Sequence, residues 1–362
     1  MTTSQPTITT RCPRHNRWFD AASVIALALY AGAEASAHSF CVDTSAKLQQ
    51  ALTDASDGGA YVNEDNIVTI VFGTYHTGAA TGGAPFFFHT TNSTHAMTIY
   101  GGFSAACSGE RHVASETVLD GQSTTPVMIL RSTKGNINVT HLTFANGESD
   151  GPGAGLQINY LVGVTAQVNV DHVVIHDNHT SVTAGGLYAS GSGPPGMSAV
   201  YVSNVLVYEN TADVDYGGIY MTGYGNTSNV LNSTITRNHS PAGNTVGGVY
   251  CGGSALCNIY DSIAWNNSNV GISLGNAGAL VCDDYGTLGG TTPGYSSNNF
   301  SVAPAFVDAA GGDFHLAANS PLFALCAGGT GTTDLEDRNF PTSGREDMGA
   351  YEDTIFIAGF EE

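Results

Sequence analysis

The chain of 362 residues carries a formal charge of −21, from 31 acidic against 10 basic residues, a balance that repels phosphate backbones and anionic lipid surfaces and argues against nucleic acid as a partner. Only 11% of residues are charged and 46 are glycine, with Asn, Ser and Thr abundant, which marks short strands and turns rather than amphipathic helices. The length accommodates two average domains, yet repeat folds and all-β folds of this size form single cooperative units.

Residues 1–37 read as a signal peptide. Arg11, Arg14 and Arg17 precede an apolar run over 21–33 that is too short to span a bilayer, and Ala35-Ser36-Ala37 offers a small-residue cleavage site. This predicts maturation after Ala37, no transmembrane segment in the mature chain, and a product secreted or held at the outer cell surface. Residues 45–56 are the one good helical pattern, and a short helix there covers the open end of whatever follows, as an N-terminal cap. Strand-like runs at 67–72, 97–100, 117–119 and 127–130, separated by Gly-rich turns, read as the first coils of a repeat.

Between residues 137 and 272 one pattern recurs, with apolar starts at Val139, Val170, Val202, Val230 and Ile259, that is, at intervals of 31, 32, 28 and 29 residues. Positions three and five after each start are mostly apolar or small and alternate inward: Leu142 and Phe144, Val173 and Ile175, Val205 and Val207, Ser233 and Ile235, Ser262 and Ala264. Position eight holds Gly147, Asn178, Asn210, Asn238 and Asn267. Asn tolerates the left-handed backbone of a sharp turn, and stacked Asn side chains share amide hydrogen bonds, so this column reads as an asparagine ladder. Three units return with Gly-Gly, an aliphatic residue and Tyr188, Tyr220 or Tyr250. One such coil cannot bury its own apolar face, but a stack of them makes a continuous core. The expected fold is all-β: a single-stranded right-handed parallel β-helix over residues 38–300 with an N-terminal helical cap.

Loss of the leader removes Cys12 and leaves Cys41, Cys107, Cys251, Cys257, Cys282 and Cys326, an even count that suggests disulfides in an oxidising compartment. Fifteen pairings are possible. Cys251 and Cys257 flank a short loop and make a plausible local pair, and no cysteine pair has the CxxC spacing of a zinc or redox site.

The upstream segments Ile99-Tyr100-Gly101-Gly102-Phe103, Thr117-Val118-Leu119-Asp120-Gly121 and 142–147, followed by Pro304-Ala305-Phe306-Val307-Asp308, Asp313-Phe314-His315-Leu316, Asn319-Ser320-Pro321-Leu322, Asp334, Asp337-Arg338 and Asp347-Met348-Gly349-Ala350-Tyr351-Glu352, resemble bacterial right-handed β-helix proteins that carry a C-terminal choice-of-anchor domain of the Q type. The resemblance implies a pectate-lyase-like solenoid on a secreted or surface-displayed protein. It places a C-terminal module at 301–352 beside the last coils and a sorting tail at 353–362. That tail lacks the long apolar segment and basic end of a membrane-sorting signal. Asp337, Arg338, Arg345 and Asp347 are expected to fix the irregular closing segment through ion pairs and turn hydrogen bonds.

Three surface constellations carry possible chemistry. Position seven places Asp177, Glu209 and Arg237 on adjacent coils, a set whose first reading is a salt-bridge ladder in which Arg237 neutralises Glu209 and whose alternative is the chemistry of uronate cleavage. Positions four and six point outward, and His176, Tyr208 and Trp265 on that strip suit sugar rings unless the C-terminal segment covers them. Asp213 and Asp215 form a candidate cation site, with calcium the ion that suits two loop carboxylates; no other cofactor is expected. His172, His176 and His179 lack the geometry of a zinc site on a strand, while His141 and His172 share a coil position with Asn204, Asn232 and Asp261 in a polar turn stack. The function expected is a monomeric, non-catalytic surface for adhesion or glycan binding. The alternative is a polysaccharide lyase or glycoside hydrolase acting on acidic polysaccharide.

Overall fold

The computed structural model describes residues 37–353 apart from 79–80, 111–112, 162–165, 193–198, 224–226, 242, 244, 254–255, 327–331 and 342–344, so the expected leader up to residue 36 and the terminal tail from 354 lie outside the described residues. Strands of successive coils pair in parallel. Ten of them form the path of one sheet, from His38–Val42 through Asn66–Val71, Met97–Phe103, Ile137–Ala145, Gln167–His176, Ala199–Tyr208, Thr227–Leu231, Leu256–Tyr260 and Ala279–Val281 to Tyr295–Ser297. Eight more, from Phe86–Thr90 to Leu288–Gly290, form a second sheet, and the two-residue strands Glu148–Ser149, His179–Thr180 and Thr211–Ala212 form a third. The chain is a right-handed parallel β-helix.

The repeat register read from sequence is the register of the fold. Val139 pairs with Val170, Val170 with Val202, Val202 with Val230 and Val230 with Ile259. The column continues upstream through Ile99 and Val68, so the early runs are coils of the same stack. These side chains are buried in one continuous core with the inward residues of the second sheet, among them Leu130, Ile158, Leu187, Ile219 and Ile272. The end of that core is closed by the helix Ser45–Ala55, whose first turn is capped by the Thr44 hydroxyl and whose Leu48, Ala51, Leu52 and Ala55 face inward. Gln49 locks the cap to the second sheet, accepting from Phe87 N at 3.0 Å and donating to Phe87 O at 3.2 Å. Three disulfides join Cys41 to Cys107, Cys251 to Cys257 and Cys282 to Cys326.

The asparagine column is present, but its backbone role differs from expectation. The left-handed corner residues are those one position earlier: Asn146, Asp177, Glu209, Arg237 and Asn266, with φ between 53° and 58°. The asparagines that follow are free to turn inward. Asn178 Nδ2 donates to Asn210 Oδ1 at 2.8 Å, Asn210 to Asn238 at 2.9 Å and Asn238 to Asn267 at 3.0 Å. Each Oδ1 also accepts the backbone N–H of the preceding coil's asparagine or glycine, while each Nδ2 reaches carbonyls that the corner leaves unpaired. These are polar groups that burial makes costly to leave unsatisfied. Asn210→Ala is expected to cost about 3 kcal/mol, because it strands donors and acceptors in two coils at once. Urea unfolding measures this, and a midpoint unchanged from the wild type removes the ladder from the stabilising interactions.

A second polar column was not foreseen. Where the early coils place Leu142, Val173 and Val205 at position three, the later ones place Ser233, Ser262 and Asp283. Val205 N donates to Ser233 Oγ, Ser233 N to Ser262 Oγ, Ser262 N to Asp283 Oδ1 and Asp283 N to Asn299 Oδ1, over 2.9 to 3.3 Å. Asp283 and its neighbour Asp284 are fully buried. Burial, with Asp261 nearby, pushes the Asp283 carboxyl well above the carboxylate range, and burial pushes Asp284 up to about 6. A carboxyl whose folded pKa is raised stabilises the fold below its unfolded value near 4 and loses that contribution as pH rises through the folded value. The thermal midpoint is therefore expected to fall between pH 4 and about 7. Asp284→Asn, which keeps the Oδ1 acceptor for Val302 N, flattens that fall in a pH series of melts, whereas an unaltered slope in the variant assigns the effect to other groups.

Candidate functional site

The acidic edge assembles in the order read from sequence, but its charges are used internally. Glu209 forms a close ion pair with Arg237, and Arg237 also donates to the Ala309 carbonyl. Asp177 instead meets His176 Nδ1 at 2.7 Å. This is the salt-bridge arrangement, with each of the two carboxylates engaged by a cationic or imidazole partner. Asp213 and Asp215 serve separate partners. Asp213 lies 3.1 Å from His179 Nε2, while Glu148 takes His179 Nδ1 at 2.8 Å, so the two acids together hold that imidazole's pKa above its usual value. Asp215 Oδ1 accepts from Tyr216 N and Val246 N at 2.8 and 2.7 Å, which makes it a turn-fixing residue.

Of the two expectations for the outward strip of the first sheet, the covered one holds: its apolar residues lie under the C-terminal segment rather than forming an open platform. The described residues between 301 and 353 fold across the strip, led by the antiparallel pair Phe306–Asp308 and Asp313–Leu316. Val174 and Leu206 are buried with Phe314, Leu335 and Ala350, and Tyr208 packs its ring 5.0 Å from Phe314. Ile263 is buried with Cys282, Leu316, Leu322, Cys326 and Met348, and Trp265 packs against that cluster. His176 stacks on Tyr208 at 4.8 Å. Thus His176, Tyr208 and Trp265 line a seam between coils and closing segment, because the apolar residues at position four need a cover that the repeat alone does not supply.

Buried hydrogen bonds hold that cover. Asp334 accepts from Glu336 N, Arg338 N, Arg338 Nε and Glu352 N, and Asp347 accepts from Ala324 N and Asp353 N, each at 2.7 to 3.0 Å. Of the four residues expected to fix the segment, Arg338 and Asp347 act inside it, Asp337 reaches the coils, and Arg345 is exposed. His315 sits between Asp313 at 2.7 Å and Glu336 at 3.5 Å; burial lowers its pKa, but Glu336 and Asp313 outweigh it and push the pKa up to about 9.

Where the long strands bend, His141, His172, Asn204, Asn232 and Asp261 occupy one left-handed column, with φ from 45° to 56°. The His141 and His172 rings lie parallel at 4.7 Å, both nearly buried. Asp337 approaches them from the closing segment, Oδ2 at 2.9 Å from His141 Nε2 and Oδ1 at 3.3 Å from His172 Nε2. On the opposite side of each ring, Thr140 Oγ1 meets His141 Nδ1 at 2.7 Å, and Asp171 Oδ2 lies 2.8 Å from His172 Nδ1, a charge contact rather than an aligned hydrogen bond. Burial lowers the His141 pKa despite Asp337. For His172 burial also opposes the charge, but Asp171 overrides it and the pKa is raised. Sequence placed the two histidines in a turn stack. Their partner, 196 residues from His141, left no local signal.

The outward face of the second sheet is the more open one. Tyr188, Tyr220 and Tyr250 stack at 5.1 and 5.2 Å, with Tyr216 leaning on the last two, so that ring faces are shared along the column and ring edges point out. Beside it runs the registered column His89, Arg131, Asn159, Ser190 and Thr222. A cleft of about 220 Å³ lies over Arg131, His89, Asn159, Tyr160 and Ser190. Arg131 is exposed, rests over the Phe87 ring at 5.5 Å, and has no ion-pair partner among the described residues.

No protein-family model and no curated protein matches the chain. Among solved structures, the crystal structure of pectate lyase Pel9A matches at 15% identity over 81% of this chain and 89% of its own, with a TM-score of 0.36. A superposition this loose adds nothing to the strand pairing, on which the fold assignment rests.

Phe314→Ala is expected to cost about 3 to 5 kcal/mol, since it empties the centre of the seam. Urea unfolding gives the loss, and limited proteolysis is expected to cut first within 301–353. First cuts within the coils instead show that the segment is not held through this ring.

Proposed function

We propose that the chain is a non-catalytic extracellular protein that binds glycans along the outward face of its second sheet. The observation that carries this reading is the Arg131 cleft beside the tyrosine column: it offers one polar side chain per coil in register, on the sheet against which none of the described residues of the closing segment is packed in the apolar clusters. A regular row of guanidinium, amide and hydroxyl groups suits a regular polymer of hydroxyl-bearing rings, and an arginine with no carboxylate partner among the described residues, in a chain of charge −21, favours a glycan bearing acidic groups. The disulfides support an oxidising compartment. The motif order over 301–352 supports a choice-of-anchor type module, whose closing segment here doubles as the cover of the first sheet. Engagement of Glu209 by Arg237 and of Asp177 by His176 weighs against the rival lyase or hydrolase reading.

An array of acidic and neutral polysaccharides, with and without calcium, tests this. Retention without unsaturated products or new reducing ends is expected. Arg131→Ala is expected to weaken it about tenfold, the worth of one charge-assisted hydrogen bond of about 1.5 kcal/mol, and Tyr188→Phe to weaken it less while keeping the ring stack. Cleavage abolished by Glu209→Ala overturns the non-catalytic reading, and retention indifferent to both face variants overturns the choice of face.

A further inference from the structure

We propose that His141, His172 and Asp337 bind a divalent transition-metal cation of the zinc class, at the junction between the coils and the closing segment. The donor atoms all lie within 4.8 Å of one another. Both imidazoles present the same nitrogen, Nε2, to the two oxygens of one carboxylate, at 2.9 and 3.3 Å. Behind the rings, Thr140 Oγ1 meets His141 Nδ1 at 2.7 Å and the Asp171 carboxylate lies 2.8 Å from His172 Nδ1, outer partners of the kind that orient ligating imidazoles and raise their basicity. Two imidazole nitrogens and one carboxylate oxygen suit zinc, nickel or cobalt, whereas calcium and magnesium need oxygen-rich sets. Three protein ligands leave a further position open, and the Asp337 side chain, 24% exposed, gives the site a route to solvent. Bond lengths near 2 Å require the rings to tilt out of their parallel stack, a small motion for side chains at a bend. Thr333 Oγ1, 3.1 Å from His172 Nε2, comes from the same segment as Asp337, so a bound ion bridges two coils to the cover.

The left-handed column supplies variants that preserve the fold. Asn204 and Asn232 already occupy this position in the next two coils, and Asn tolerates the backbone it needs, so His141→Asn and His172→Asn remove ligands without strain. Purified protein stripped with a chelator and titrated with Zn²⁺ is expected to take up one tightly bound ion per chain and to melt at higher temperature. Either Asn variant is expected to lower the affinity at least about 100-fold, and Asp171→Asn about 10- to 100-fold. His179→Ala, which removes the exposed imidazole between Glu148 and Asp213, leaves tight binding unchanged. A wild type that takes up no Zn²⁺ at micromolar concentration, Asn variants that bind like wild type, or tight binding lost only in His179→Ala overturns the proposal. Co²⁺ substitution of the wild type gives a readout that needs no variant: an intense visible band of four- or five-coordinate Co²⁺ supports the site, and the pale octahedral spectrum overturns it.

Discussion

Every feature of this molecule depends on parallel backbone pairing held in register from coil to coil. A strand in such a stack is buried on one face and paired at both edges, so a slip of one residue turns the whole apolar set outward. Val139, Val170, Val202, Val230 and Ile259 hold the register from inside, and the asparagine column holds it at the corner. The two act on different groups. The apolar column removes carbon surface from water, while the amides satisfy peptide groups that the bend withdraws from strand pairing.

The two broad faces of the helix have different fates because position four of the repeat is apolar in three of its five coils on one, at Val174, Leu206 and Ile263, and the equivalent outward columns of the other are polar or aromatic. Val174, Leu206 and Ile263 demand a cover, and the closing segment supplies Phe314, Leu316 and Leu322 to it. Arg131, Asn159, Ser190 and Thr222 on the second sheet need none, since each can be solvated. The division between a sealed face and an open one thus follows from side-chain chemistry at registered positions.

The solenoid was legible in the sequence because its signals are local and repeated: apolar residues in alternation, an asparagine at a fixed offset, Gly-Gly before an aliphatic residue. The helical cap was legible for the same reason. What escaped was whatever depended on pairing the repeat with the rest of the chain. Tyr208 and Trp265 alternate outward as expected, but only the folded closing segment decides whether outward means solvent or seam. The left-handed corner falls on Glu209 and Arg237 as well as Asn146, Asp177 and Asn266, and Glu and Arg have little preference for that conformation, because the inward side chain of the next residue is worth more than the local strain. The serine and aspartate column escaped because Ser233 and Ser262 read as small core residues until their hydroxyls are seen accepting from the coil above. Asp337 had no periodicity to betray it.

The closing segment also changes how the array behaves as a whole. In a simple solenoid each repeat touches only its neighbours, so energy adds along one dimension and the ends fray independently. Here one stretch of chain is bonded to His141 through Asp337, to Thr234 through Ala350, to Asp261 through Gly349 and to Cys282 through Cys326. Such a strut couples coils that are not adjacent. Opening the C-terminal coils then means lifting the strut from the middle ones as well, which turns a row of nearly independent units into a single all-or-none transition.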